Sequence, residues 1–234
     1  MHRSEMFIAR LATAATLLAC STGALAAQQR PVREGRTPVT AQATPVIVVR
    51  GSTEPTFRRS GDWNSSPTPL SASQKAEIFS TALEMPVLVT GVGQGIRLTP
   101  SQPFVAGKAR LEFAAAAVVL PDNDGGIARM ISNPSIGLSS AVACSFWPTV
   151  VNQPLLIDVT LSVLAIKSKV SIKLYIPGGQ FNQTVQLSAG DHHLTAIYKP
   201  ADLSEKSLIV EDASDNPTHV SFTFYACEIT PLVK

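Results

Sequence analysis

The chain is short of most of the side chains that chemistry recruits: three cysteines, four histidines, two tryptophans and three tyrosines among 234 residues, of which 15% are charged. Each shortage excludes something. Three cysteines with no C-x-x-C pair give no framework for a zinc cluster or a redox dithiol. Charge well below the roughly 25% of ordinary soluble domains, and balanced at 19 basic against 17 acidic residues, lacks the basic footprint of a nucleic-acid binder. The run from Leu11 to Ala26 is 16 residues long and contains Thr13, Thr16, Ser21 and Thr22. A spanning helix needs about 20 predominantly apolar residues, so no transmembrane helix is expected. Proline and glycine, by contrast, are plentiful at 17 and 14, which points away from a helical bundle and toward strands joined by turns.

Residues 1–26 have the three-part layout of a secretory signal, with Arg3 and Arg10 first, the apolar stretch from Leu11 next, and the A-x-A site Ala24-Leu25-Ala26 last. Cleavage after Ala26 places the remainder in the periplasm, at the outer membrane or outside the cell. Leu17-Leu18-Ala19-Cys20 competes with this reading, because it resembles a bacterial lipobox and would make Cys20 the lipidated first residue. Cleavage at Ala26 leaves Cys144 and Cys227, and an even pair in an exported chain reads as a disulfide. In the chain-entropy account a link across so long a loop is worth roughly 4.5 kcal/mol.

The charge is unevenly spread. Between Ala27 and Ser60 stand six arginines (30, 33, 36, 50, 58 and 59) against Glu34 and Glu54, for a net +4, whereas Gly61 to Lys234 carries a net −3. Residues 27–68, rich in Arg, Pro and Thr and poor in large apolar side chains, are expected to be a flexible tether. It either spaces the body from its surroundings or lies on an anionic envelope surface. The run Val46–Val49 is alternatively a first strand added to the edge of the body's sheet.

The body, 69–234, opens with one helix. Ser71-Ala72-Ser73-Gln74 has capping-box spacing, Ile78, Phe79, Ala82 and Leu83 share a face, and Pro86 stops the helix. Period-two alternation then predicts strands over 155–164 and 170–176, read as a hairpin, and one long strand over 109–119. Shorter strands are expected at 86–92, 141–147, 183–187, 192–199, 207–211 and 218–229. Leu187-Ser188-Ala189-Gly190-Asp191-His192-His193-Leu194-Thr195-Ala196-Ile197-Tyr198 resembles the strand-turn-strand phrase of exported bacterial sandwich modules, both immunoglobulin-like and carbohydrate-binding. The expected fold is all-β, an antiparallel sandwich of jelly-roll type with an immunoglobulin-like alternative, preceded by one short helix.

Catalytic and ligand motifs fail one by one. Pro121-Asp122-Asn123-Asp124-Gly125-Gly126 suggests calcium, but Leu120 and Ile131 fall where an EF-type loop needs carboxylates, so it reads as a turn. Gly91-Val92-Gly93-Gln94-Gly95-Ile96 lacks the helix of a dinucleotide loop. Gly137-Leu138-Ser139-Ser140-Ala141 departs from a nucleophile elbow at its last position. His192 and His193 are neighbours on a strand and point to opposite faces, and His219 near Asp212 and Asp215 reads as a solvated turn. Tyr175 and Tyr225 remain as ligand-binding candidates, because outward aromatics on a sheet face can stack on sugar rings or fill a partner's pocket. Trp63 and Trp147 are left without a role, Trp147 reading as core beside the disulfide. No metal, cofactor or catalytic residue is implied. The reading is an exported, non-enzymatic binding or structural module of the bacterial cell envelope, with a protein or glycan partner and no nucleic acid. The alternatives are a carbohydrate-recognition module, or a hydrolase whose site the sequence does not reveal.

Overall fold

The computed structural model describes residues 46–50, 67–114, 117–120, 125–130, 140–163, 170–178, 181–214 and 222–234, all within the unit Ala41–Lys234. The signal region with Cys20, most of the tether with Trp63, residues 121–124, Gly137, Asp215 and His219 lie outside the described residues.

Helix α1 spans Ala72–Leu83 and starts as its sequence dictates. The Ser71 hydroxyl accepts from the Gln74 amide at 3.2 Å while the Gln74 side chain accepts from the Ser71 amide at 2.8 Å, which satisfies two otherwise orphaned donors. Glu84 ends the helix in the left-handed conformation, with φ of 52°.

The strands are β1 Val46–Arg50, β2 Ile96–Leu98, β3 Phe104–Val105, β4 Ala109–Phe113, β5 Ala117–Leu120, β6 Ile127–Met130, β7 Ala141–Phe146, β8 Leu155–Val163, β9 Val170–Ile176, β10 Phe181–Leu187, β11 Gly190–Tyr198, β12 Lys206–Asp212 and β13 Phe222–Pro231. One sheet runs β1-β11-β8-β13-β6-β5, with β2 also on β13; the other runs β10-β9-β12-β7-β4-β3. Every pairing is antiparallel, and four of them are nested: β9 with β10, β8 with β11, β7 with β12 and β6 with β13. A chain folded once into a long hairpin and then rolled into two layers pairs in that way, and this is the jelly roll. Val46–Arg50 adds to the β11 edge, the alternative held open for that run.

Three local expectations are corrected. The strands at 155–164 and 170–176 are not a hairpin, because β8 and β9 lie in different sheets. Every residue of β8 is buried, so it needs partners on both edges and takes β11 and β13. The long strand at 109–119 is two: β4 belongs to the six-stranded sheet and β5 to the seven-stranded one. The stretch 86–92 forms the 3₁₀ turn Val89–Gly91 and a single antiparallel bridge from Val92 to Leu232 instead of a strand.

The core lies between the sheets, where Ile157, Val159 and Leu161 meet Ile172, Leu174, Leu208 and Val210. Edge-on ring pairs cross it, Phe113 with Phe224 at 5.8 Å and Phe146 with Tyr198 at 6.2 Å. The disulfide Cys144–Cys227 joins β7 to β13 with Cα atoms 6.6 Å apart, fastening one sheet to the other. A bulge makes this possible. Strict alternation from Phe224 would turn Cys227 outward, but the register of β13 against β8 shifts between Phe224 and Ala226. That extra residue returns Cys227 and Ile229 to the core side. A second cluster, Leu70, Ile78, Phe79, Leu156 and Ile197, seats α1 on the outer face of the seven-stranded sheet.

Candidate functional site

Two outer faces could serve a ligand, and they differ in kind. On the seven-stranded sheet, period-two alternation sends Asp158, Thr160 and Ser162 of β8 outward, opposite Thr195, His193 and Asp191 of β11. The face is polar yet closed, since Asp158, Thr160, Ser162, His193, Thr195 and Thr223 are all buried. Its groups consequently pair with one another. His193 Nδ1 lies 3.0 Å from both Asp158 carboxylate oxygens and Nε2 lies 3.2 Å from the Thr68 carbonyl. Both ring nitrogens are thereby engaged, leaving neither open to a substrate or ion. The Ser162 hydroxyl donates to Asp191 and lies 3.2 Å from the Tyr225 hydroxyl.

Beside it, the Lys75 ammonium from α1 donates to Glu228 on β13, with Arg97 at 3.7 Å from the other carboxylate oxygen. Gly95 makes room for this. A Cβ there would stand 2.6 Å from Thr230 Oγ1 and 2.7 Å from Glu228 Oε1. These contacts dock the helix and the preceding chain on the sheet and leave no reactive group exposed.

The six-stranded sheet presents the opposite situation. Its outward residues on β10, β9 and β12 are exposed or half-buried and stand in register. Asn182 is level with Tyr175 and Tyr175 with Ile209; Thr184 is level with Lys173 and Lys173 with Glu211. The Lys173 ammonium lies 4.5 Å from the Tyr175 ring centroid and 3.5 Å from Glu211. The Tyr175 hydroxyl donates to Glu211 at 3.3 Å. Burial first, and then the Glu211 carboxylate, raise the Tyr175 phenol above its ordinary 10.0. Small residues, Ala141, Ala143 and Ser145, occupy β7 in the middle of the face. Beyond them Arg110 stacks on Trp147 with its guanidinium carbon 5.7 Å from the ring centroid, and it bonds Glu205 at 3.0 Å.

At the end of this face a depression of about 300 Å³ is lined by Ile176, Pro177, Ser204, Glu205, Lys206 and Ser207, the low end of ligand-site volumes. Its rim is braced by Asp202, which accepts from the Ser204 amide at 2.7 Å and from Lys206 at 2.8 Å. These bonds, Lys206 first and Ser204 second, hold the Asp202 carboxyl down at about 2. Asp202 in turn helps burial to raise the Tyr198 phenol.

The two tyrosines singled out from the sequence do not share a face. Tyr175 stands half-buried on the six-stranded sheet, whereas Tyr225 sits on the seven-stranded one with 1% of its surface exposed. Aromatics that do stand on the Tyr175 face are Trp147, one residue past the inward Phe146 and half-exposed rather than part of the core, and Phe104, level with Arg110 and 61% exposed. Alternation along 141–147 would have placed Trp147 outward. Asn182 and Thr184 were legible in the same way from the polar alternation Asn182, Thr184, Gln186. Among the described residues, no group of three or more His, Cys, Asp or Glu side chains is gathered as a metal site would need.

No protein-family model and no curated protein matches the sequence. Solved structures similar to the fold include a family 35 carbohydrate binding module from Clostridium thermocellum at 4% identity and TM-score 0.37, covering 58% of this chain and 98% of that one. The CBM22-1 xylan-binding domain from Paenibacillus barcinonensis Xyn10C matches at 12% identity and TM-score 0.37, covering 61% and 97%. The Cry4Aa toxin from Bacillus thuringiensis matches at 12% identity and TM-score 0.39, covering 60% of this chain. The chain spans 24% of the toxin's length and 18% and 34% of two other large chains it matches. Likeness this distant carries nothing about a ligand, and the fold rests on the strand order itself.

Proposed function

We propose that this chain is an exported, non-enzymatic binding module of the cell envelope, and that it holds a glycan across the outer face of β10, β9 and β12. What supports export is the signal layout of residues 1–26, together with the disulfide. The observation that carries the glycan reading is the grouping of Tyr175 with Asn182, Thr184, Lys173 and Glu211 in adjacent register on an accessible sheet face. A sugar offers apolar C–H faces and a rim of hydroxyls. An aromatic ring takes the first, and amide, hydroxyl and charged side chains take the second. Lys173 and Glu211 oppose one another in charge, which suits a neutral polyol better than a polyanion. The Asp158–His193 pair, the arrangement that would tempt a hydrolytic reading, is closed under Thr68.

The test is calorimetric titration of neutral oligosaccharides, chosen from a glycan array, into the full chain and its variants. Tyr175→Ala is expected to weaken binding at least about tenfold, and Asn182→Ala several-fold, the loss of a stacked aromatic being worth more than one hydrogen bond. Neither should alter the unfolding midpoint much, since both side chains are partly exposed. Absence of any array signal at high protein concentration, or a signal that survives Tyr175→Ala, would remove the proposal.

A further inference from the structure

One end of the sandwich carries an apolar surface that the glycan face does not use. β8, β11 and β13 reach it together, since Leu155 is level with both Tyr198 and Pro231. β4, β7 and β12 reach it from the other sheet, with Phe146 level with Ala109 and Lys206. Among the described residues there, Val150 is 52% exposed, Val151 44% and Leu203 52%, and Leu88, Val89 and Val233 continue the surface at 75%, 48% and 39%. Backbone bonds tie the segments that bear them: Asn152 donates to Pro200, Leu232 to Pro154 and Val233 to Gly91, at 2.7 to 2.9 Å. These aliphatics therefore stand on a held set of loops rather than as scattered singles.

The composition of the patch selects its occupant. Residues 147–154 and 86–95 contain no charged side chain. Its exposed side chains are mainly aliphatic, led by Val150, Val151 and Leu203, residue types in which protein–protein hot spots are poor; Trp147, stacked by Arg110, stands at its margin. Cations flank it. Lys108, whose carbonyl accepts from the Trp147 amide, and Lys199, beside Pro200, are exposed and have no carboxylate partner among the described residues. The nearby acids Asp202 and Glu205 are taken up by Lys206 and Arg110, and on the helix side Glu77 and Glu84 are exposed. Aliphatic loops with lysines at their margin match the boundary between anionic headgroups and acyl chains, where apolar insertion and electrostatic attraction act together.

We propose that this end of the sandwich docks on an anionic lipid surface, with Val150, Val151 and Leu203 entering the headgroup–acyl boundary and Lys108 and Lys199 engaging the lipid charge. The proposal is independent of the glycan reading, which concerns a different surface.

The test is co-sedimentation of the purified full chain with vesicles of phosphatidylcholine alone or mixed with phosphatidylglycerol. The aliphatic and lysine variants carry the same N-terminal stretch, so differences between them report on this end alone. The full chain is expected to partition onto the anionic vesicles. Val150→Ser/Val151→Ser/Leu203→Ser should weaken that at least about tenfold, and Lys108→Gln/Lys199→Gln by about fivefold per lysine, more at low salt than at high. All five side chains are exposed, and an unchanged unfolding midpoint will verify that the variants fold. Undiminished binding by the aliphatic variant overturns the proposal, above all if replacing the six arginines of residues 27–60 by Gln then abolishes binding. Sedimentation equilibrium showing a dimer that the same aliphatic substitutions dissolve would also overturn it, assigning the surface to a second copy of the chain.

Discussion

Asp158 and His193 are diagonal neighbours on adjacent strands, the carboxylate 3.0 Å from Nδ1, while the far side of the ring meets the carbonyl of Thr68. With 1% and 3% of their side chains exposed, the pair is the point at which the chain leading into α1 is fastened to the seven-stranded sheet.

Removing half of such a pair is costly because the other half stays buried without a partner. His193→Leu is expected to lower unfolding free energy by about 1–3 kcal/mol. The double variant Asp158→Leu/His193→Leu should recover most of that loss, since replacing both partners of a buried hydrogen bond by apolar groups can be nearly neutral. Urea unfolding of the three proteins measures both steps, and a single-variant loss under about 1 kcal/mol would contradict the fastening role.

The disulfide closes a long loop, with Cys144 and Cys227 83 positions apart. Cys144→Ala/Cys227→Ala should therefore destabilise the fold by roughly 4.5 kcal/mol if the cross-link acts through the unfolded chain. Denaturant midpoints with and without reductant provide the comparison, and coincident curves would mean that the bond contributes nothing to the fold.

Gly95 is held by space. Gly95→Ala drives a methyl into Glu228 and Thr230, so Glu228 must leave Lys75 or the β2 backbone must retreat. A loss of about 1–3 kcal/mol is expected, together with faster amide exchange along α1. An alanine accepted without change in either measurement would show that Glu228 moves freely.

Asp202 supplies an acid-side signature. Its carboxyl is held at about 2, below the ordinary 3.8, so the stabilisation it lends is complete above the ordinary value and is lost as pH falls through about 2. Carboxyl NMR should find Asp202 titrating near 2 in the native chain, and Lys206→Met should move it back up. An Asp202 that titrates at 3.8 in the unmodified chain would mean that Lys206 does not engage it.

Tyr175 supplies the alkaline counterpart. Its phenol is raised by burial and by Glu211, so the unfolded chain ionises first and stability falls as pH rises past 10. Absorbance titration should show Tyr175 ionising late, and Glu211→Gln should bring it earlier. An unshifted curve in the variant would separate the tyrosine from its carboxylate neighbour and weaken the bracing of this outer face.

Local chemistry was readable wherever it acts over a few residues. Ser71 and Gln74 announced the helix start, because a capping box needs only its own four residues. Alternation announced β9, β12 and most of β11, and it rightly sent His192 and His193 to opposite faces. His192 bonds the Ser188 carbonyl at 2.8 Å while His193 reaches Asp158.

What failed was partnership. Nothing local in 155–176 distinguishes a hairpin from a crossing between sheets, because β8 finds its partners in β11 and β13, many residues away. The strands 109–113 and 117–120 share one pattern and belong to different layers for the same reason. By itself the sequence determined the class of fold, the helix start and the pair of cysteines available to bond, all of which follow from composition and short-range spacing. Only the tertiary structure decided which faces are open. Tyr225 and Tyr175 are both outward by alternation, yet the outer face of the seven-stranded sheet is closed around Tyr225, and the corresponding face around Tyr175 is not. Closure of that kind depends on which remote segment lies across a strand, a long-range packing outcome that period-two spacing does not encode.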